Sequence, residues 1–294
     1  MLLLAAVALA LQPDPAALRK VYEDHVARCE RDFGPRDART AQAARDLGFY
    51  MRESGDKKAA TTAFAMALAI DQANLGPDAR QTLAGELALA SVSPPPEAEA
   101  LFRKALTSRG MDSTLAAPAL SALGDLRFAA KDPVGAAAAW RLALQHSEIV
   151  NGKDSDPVAK ILYNLSQVVD TKEAVALLER ARAIAVGNFG PNHPETATCE
   201  VNLANALLHA GRLSDAVEHA RTGLAAFEAS LGPRHPRVSV ALTTLARALG
   251  GQKGADRKSI ADLYRRAVEI DRLSLGDKDP QTLADIRALN ALPK

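Results

Sequence analysis

Two His-Pro pairs are the first residues of this 294-residue chain that invite a chemical reading. They lie in Phe189-Gly190-Pro191-Asn192-His193-Pro194-Glu195-Thr196 and in Leu231-Gly232-Pro233-Arg234-His235-Pro236-Arg237-Val238. Imidazole ligates metals and carries protons, and either role needs partner groups. Neither stretch has them. No His stands at metal-ligand spacing from a Glu, and the two cysteines, Cys29 and Cys199, form no cluster. No Ser sits on a nucleophile elbow, and no strand pattern precedes the Gly-rich Gly250-Gly251-Gln252-Lys253-Gly254, which reads as a turn. These residues point away from catalysis, from a bound metal and from a cofactor. His193 and His235 are better read as helix caps, each followed by Pro at the first helical position. Asp156-Pro157 and Asp279-Pro280 put Asp, a good capping residue, in the same place.

The capped junctions recur. Weaker copies are Phe33-Gly34-Pro35, Leu75-Gly76-Pro77 and Leu275-Gly276-Asp277-Lys278-Asp279-Pro280-Gln281-Thr282. Gly34 to Gly76 and Gly190 to Gly232 are both 42 positions, and Gly232 to Gly276 is 44. A fixed period of this size marks a stacked helical repeat. Composition agrees: hydrophobic residues make up 48% and aromatics only 4%, which favours closely packed Ala-rich helices over strands. A net charge of +1 leaves no electropositive footprint for nucleic acid or anionic lipid.

In chain order, Ala16 to Arg31 reads as the second helix of a repeat that lacks its first. Full repeats follow from Asp37 to Leu75, Ala79 to Arg109, Met111 to Val150, Asp156 to Phe189, His193 to Leu231 and His235 to Leu275. Asp279 to Leu292 is a last first helix with no second after it. Within a repeat the first helix is A and the second B. Gly48 on helix A and Ala60 on helix B are small where two helices approach, and Phe64 fills the gap between them. Trp140 takes the place of Phe64 in the third repeat and is expected in the core. Ser54-Gly55-Asp56, Lys131-Asp132-Pro133 and Gly211-Arg212 suit tight helical hairpins.

Leu2 to Leu11 is an unbroken apolar run ending in Ala8-Leu9-Ala10, a small-x-small cleavage pattern. It is too short to cross a bilayer as a helix. Residues 1–10 are expected to be a signal peptide, giving an exported protein, periplasmic or secreted, with no integral membrane segment after cleavage; a cytoplasmic protein with an apolar leader is the alternative. Cys29 and Cys199 fall in distant repeats, so they are expected as free, partly buried helix residues.

Leu47-Gly48…Ala60…Phe64…Ala67 and Leu123-Gly124…Ala136…Trp140…Ala143 resemble the tetratricopeptide repeat. The longer period and the Leu/Phe-Gly-Pro-x-His-Pro junction are similar to the kinesin-light-chain subclass. The resemblance covers about residues 16–292. It implies an all-α, right-handed superhelical solenoid of antiparallel helix pairs. It implies, too, a concave face of A helices that binds a protein or an extended peptide. In that family an Asn beside the helix A Leu hydrogen-bonds a peptide backbone, and Asn164 and Asn202 match the position. By register the groove takes Gln42, Arg45 and Phe49 from the first repeat. Lys160, Tyr163, Asn164 and Gln167 come from the fourth, Asn202, Asn205 and His209 from the fifth, and Thr243 and Arg247 from the sixth. Arg45, Lys160 and Arg247 are expected to meet acidic side chains. The function expected is a non-enzymatic scaffold. The alternatives are self-assembly into a homo-oligomer through Leu283, Ile286 and Leu289, and an accessory subunit regulating a separate enzyme.

Overall fold

The computed structural model describes residues 14–292; the export segment expected at 1–10 lies outside them. Among the described residues there are fourteen helices and no strand. They fall into two compact bodies that meet in sequence at Lys131/Asp132, the turn expected inside the third repeat. The first body holds α1 (Pro15–Phe33), α2 (Ala38–Glu53), α3 (Lys57–Leu75), α4 (Arg80–Ala90), α5 (Pro95–Leu106) and α6 (Ser113–Ala129). The second holds α7 (Pro133–Asn151), α8 (Asp156–Ser166), α9 (Thr171–Phe189) and α10 (Pro194–His209). It continues through α11 (Leu213–Leu231), α12 (Pro236–Gly250), α13 (Arg257–Ser274) and α14 (Pro280–Asn290). Within each body every helix packs on the next in the chain, and α10 also packs on α12. The fold is an all-α solenoid of consecutive helix pairs.

The junctions set this arrangement. The helix before each one ends at a glycine with φ between 84° and 99°: Gly34, Gly76, Gly152, Gly190, Gly232 and Gly276. A side chain is strained in that region, so only glycine turns the chain here without cost. At Gly34, Gly76 and Gly190 the carbonyl then accepts a hydroxyl from Thr40, Thr82 and Thr196, six residues on, at 2.7–2.8 Å. Each of these threonines is fully buried, so the bond both satisfies the hydroxyl and locks the turn onto the next helix. Gly110, between α5 and α6, has no positive φ; a Cβ there would collide with the Asp78 carbonyl oxygen.

Capping fixes the helix starts. Asp14, Asp37, Asp56, Asp112, Asp132, Asp170, Asp256 and Asp279 each accept a backbone N–H of the first turn. His193 and His235 do the same through Nδ1, from Glu195 and Arg237, at 3.2 Å. Each cap of this kind stabilises its helix by about 1 kcal/mol. Asp156 departs from the expectation: Ser155 is the cap residue and Asp156 opens α8, its carboxylate accepting from Asn188 at 2.6 Å.

The core follows the small-large pattern. Ala60, Phe64 and Ala67 are fully buried. Phe64 presses so closely on Gly48 that an added Cβ would stand 2.5 Å from its ring. In the second body Gly223 plays the same part against Val201, at 2.7 Å. Trp140 is buried as expected. Cys29 is buried and Cys199 half-buried, both free and in separate bodies.

Candidate functional site

The A helices of the second body carry most of the expected site. The 38 positions from Gly152 to Gly190 and the 42 from Gly190 to Gly232 bring residues of α8, α10 and α12 into common columns. One column holds Lys160, Thr198 and Val240. The next holds Tyr163, Val201 and Thr243, followed by Asn164, Asn202 and Thr244. The last holds Gln167, Asn205 and Arg247.

These residues divide by what they already touch. Asn205 is committed to the fold: its amide donates to the Val201 carbonyl and to Thr244 Oγ1, both at 3.2 Å. Its carbonyl oxygen accepts from Arg247 Nη1 at 3.2 Å. Arg247 is exposed but tied to that amide. Thr243 donates to Asp285 of α14 at 3.0 Å. Asn164 is half-buried and already has a partner within the protein. Gln167 closes α8, its amide 3.4 Å from Ser166 Oγ.

Lys160, Tyr163 and Asn202 differ. Among the described residues, none of their side chains has a hydrogen bond or ion pair with the protein. Lys160 and Tyr163 are exposed and Asn202 is half-exposed. They offer an ammonium, an aromatic face with a phenol, and an amide able to donate and accept at once. His209 is equally uncommitted but stands elsewhere. It lies at the end of α10, on an open cavity of about 490 Å³ lined by Thr171, Lys172 and Glu179 of α9 and by Arg212.

In the first body the expectation for Arg45 is corrected. It was expected as an open cation for acidic partners. Instead it is buried, ion-paired with Asp71 of α3, and it donates to Gln42 Oε1 at 2.9 Å. Gln42 in turn donates to Asp46 at 2.8 Å. Asp71 lies 26 residues from Arg45, on the far side of a hairpin, so no local pattern announced the pair. Phe49 remains 39% exposed, with its ring edge-on to Phe64 at 5.1 Å and the Arg52 guanidinium 5.1 Å above it.

Two further polar centres escaped the sequence reading. Glu200, 2% exposed, accepts from Arg182 at 2.5 Å and pairs with His219 at 2.6 Å. Burial pushes this carboxyl up, but the His219 and Arg182 contacts outweigh it and hold it below the usual carboxylate range. Glu86, ten residues after Gly76 as Glu200 is after Gly190, is likewise buried against Lys104. The neighbouring Cys199 thiol is pushed up to about 11, first by burial and then by Glu195 and Glu200. A thiol so protonated is a poor nucleophile. Among the described residues no group of three His, Cys, Asp or Glu is arranged to hold a metal, and no helix is long and apolar enough to cross a membrane.

The self-assembly surface is altered as well. Leu283 is 42% exposed on α14, but Leu289 turns inward onto the cluster of Ala246, Ile260 and Tyr264.

The family model described as tetratricopeptide repeat matches residues 170–229 and 201–272, overlapping segments that run from α9 to α13. The matched stretch, residues 170–272, is built of tetratricopeptide repeats. Among solved structures, BtubC (BKLC) from P. vanneervenii is 19% identical with a TM-score of 0.57, over 88% of this chain and 94% of that one. A STAND protein with a tetratricopeptide repeat sensor from Pyrococcus horikoshii is 12% identical with a TM-score of 0.68, over 95% and 44%. A Rap protein complexed with Competence and Sporulation Factor is 12% identical with a TM-score of 0.55, over 86% and 70%. These likenesses are of fold. No curated protein matches the chain.

Proposed function

We propose that this chain is a tetratricopeptide-repeat binding scaffold, and that its second body holds an extended segment of a partner protein along α8 and α10. The observation that carries the reading is the set of uncommitted groups, Lys160, Tyr163 and Asn202, among neighbours whose polar atoms are already used. Tetratricopeptide repeats serve as protein-interaction modules, and solenoids use such surfaces for partners. A Rap protein of like fold was solved with a bound factor. Asn202 pairs with a peptide N–H and C=O together, Tyr163 packs against a side chain, and Lys160 meets a carboxylate. Arg247 contributes by giving up its bond to Asn205.

The test is a pull-down with the whole chain from an extract of its own host, beside Tyr163→Ala/Asn202→Ala. Both substituted side chains reach solvent, so the variant is expected to fold as the parent does, checked by circular dichroism. A partner retained by the parent and lost by the variant supports the reading. A partner held equally by both removes this face from the account.

A further inference from the structure

The buried position five residues before the junction glycine carries an aspartate twice, Asp71 before Gly76 and Asp271 before Gly276. The two are solved differently. Asp71 has a cation, Arg45, and an amide donor, Gln81 Nε2, at 3.0 Å. Where the first repeat has Arg45, eleven residues after its junction glycine, the sixth has Thr243, which brings no charge. Opposite Asp271 on α14 stands a second carboxyl, Asp285. Both are 2% exposed.

Their bonds define what is missing. Asp285 accepts from Thr243 Oγ1 at 3.0 Å and from Gln281 Nε2 at 3.3 Å. Its carboxyl is also within hydrogen-bond reach of Asp271. Asp271 Oδ2, fully buried, meets no donor among the described residues. Two ionised carboxylates cannot hydrogen-bond one another, and like charges at this range oppose double ionisation. A single proton removes both problems, because a protonated Asp285 donates to the empty oxygen of Asp271.

We infer that Asp285 carries a proton that it donates to Asp271, and that this proton docks the last helix, α14, on α12 and α13, making its docking pH-dependent. The charged and titratable neighbours are few. From α12 there is Arg247, exposed and bonded to Asn205. From α13 there is Tyr264, buried, whose phenol is pushed up by burial and by Asp285 and lowered by Arg247. On α14 itself Arg287 is exposed. None is a buried cation that neutralises the pair as Arg45 neutralises Asp71. Burial, with Asp271 adding to it, raises the Asp285 carboxyl above its ordinary range. A carboxyl whose folded value is raised stabilises the fold below its unfolded value and loses that stabilisation as pH rises through the folded value. The window therefore opens at the ordinary aspartate range and extends upward. Thr243 is part of the candidate face, so release of α14 frees its hydroxyl, but the inference stands independently of any partner.

The test is hydrogen exchange by mass spectrometry on the full chain from pH 4 to pH 8, corrected for intrinsic exchange, read on peptides covering 280–290. The wild type is expected to open more easily as pH rises, by up to about tenfold per pH unit within the window, the limit for one proton. Asp285→Asn keeps the shape and supplies a permanent donor to Asp271, so its α14 protection is expected to be flat with pH. Asp271→Asn removes the second charge and is expected to flatten the profile too, which serves if the first variant folds poorly. A wild-type profile that is flat, or both Asn variants retaining the wild-type slope, overturns the inference.

Discussion

Glycine in the middle of a helix ordinarily weakens it, and replacing it by alanine ordinarily helps by about 0.5–1 kcal/mol. Gly48 and Gly187 both lie inside helices, α2 and α9, and they should respond with opposite signs. At Gly187 an added Cβ meets nothing within 4 Å, so Gly187→Ala keeps the whole gain. At Gly48 the same carbon would stand 2.5 Å from Phe64 Cδ1 and 2.6 Å from Cε1. Carbon atoms rest at about 3.5–4.0 Å, so the ring must retreat by about 1 Å. It has no room: Phe64 is fully buried among Met51, Leu68, Ala88, Leu89 and Val92, with Phe49 against its edge. Overpacking of this severity costs about 3 kcal/mol. Offset by about 1 kcal/mol of helix propensity, Gly48→Ala should destabilise its body by about 2 kcal/mol. Urea unfolding followed by hydrogen exchange reads α2–α3 and α9 separately in one sample. Gly48→Ala/Phe64→Leu should recover part of the loss, since the clash is with the ring. If Gly48→Ala leaves α2 and α3 as protected as in the wild type, the close approach of these helices is not what holds the repeat together.

Three more outcomes follow from the same contacts. Arg45→Ala strands Asp71 in the core and should cost about 3–5 kcal/mol, whereas Arg45→Met/Asp71→Leu should recover most of it, as thermal unfolding would report. Glu200 titrates below the usual range, so its stabilisation is present above the ordinary glutamate value and is lost as pH falls through the lowered one. Glu200→Gln should therefore unfold at a lower temperature than wild type at pH 7 and converge with it on acidification, a comparison made by calorimetry at stepped pH. Cys199, at about 11, should react with iodoacetamide at pH 8 roughly a hundredfold more slowly in the native chain than in urea, in line with its smaller thiolate fraction.

How much of this was legible depends on how far apart in sequence the partners lie. Gly48, Ala60 and Phe64 were readable because their sizes repeat in a fixed register across one hairpin. His193 and His235 were readable as caps because Pro follows each, and one bond to the backbone two residues on completes the motif. Asp156 was misplaced by one residue because Ser155, equally suited to capping, precedes it. Arg45 was assigned to an open face because an Arg on the groove side of a helix is usually solvated; its burial follows from Asp71 on the next helix. The Asp271–Asp285 pair needed two helices and the loss of a cation at Thr243 to be seen together. Lys131-Asp132-Pro133 was legible as a turn, but nothing in it distinguishes the division between two bodies from any other hairpin; the structure adds only a positive φ of 61° at Lys131.

The uncommitted side chains on α8 and α10 are proposed to receive a peptide. A random peptide library selected on the full chain, with calorimetric affinities of the recovered sequences for wild type, Lys160→Ala, Tyr163→Ala and Asn202→Ala, tests it most directly. Extended binders are expected, and they should lose about tenfold or more with Asn202→Ala, equivalent to about 1.4 kcal/mol, and with Tyr163→Ala. Binders whose affinity is the same for all four proteins would contradict the proposal.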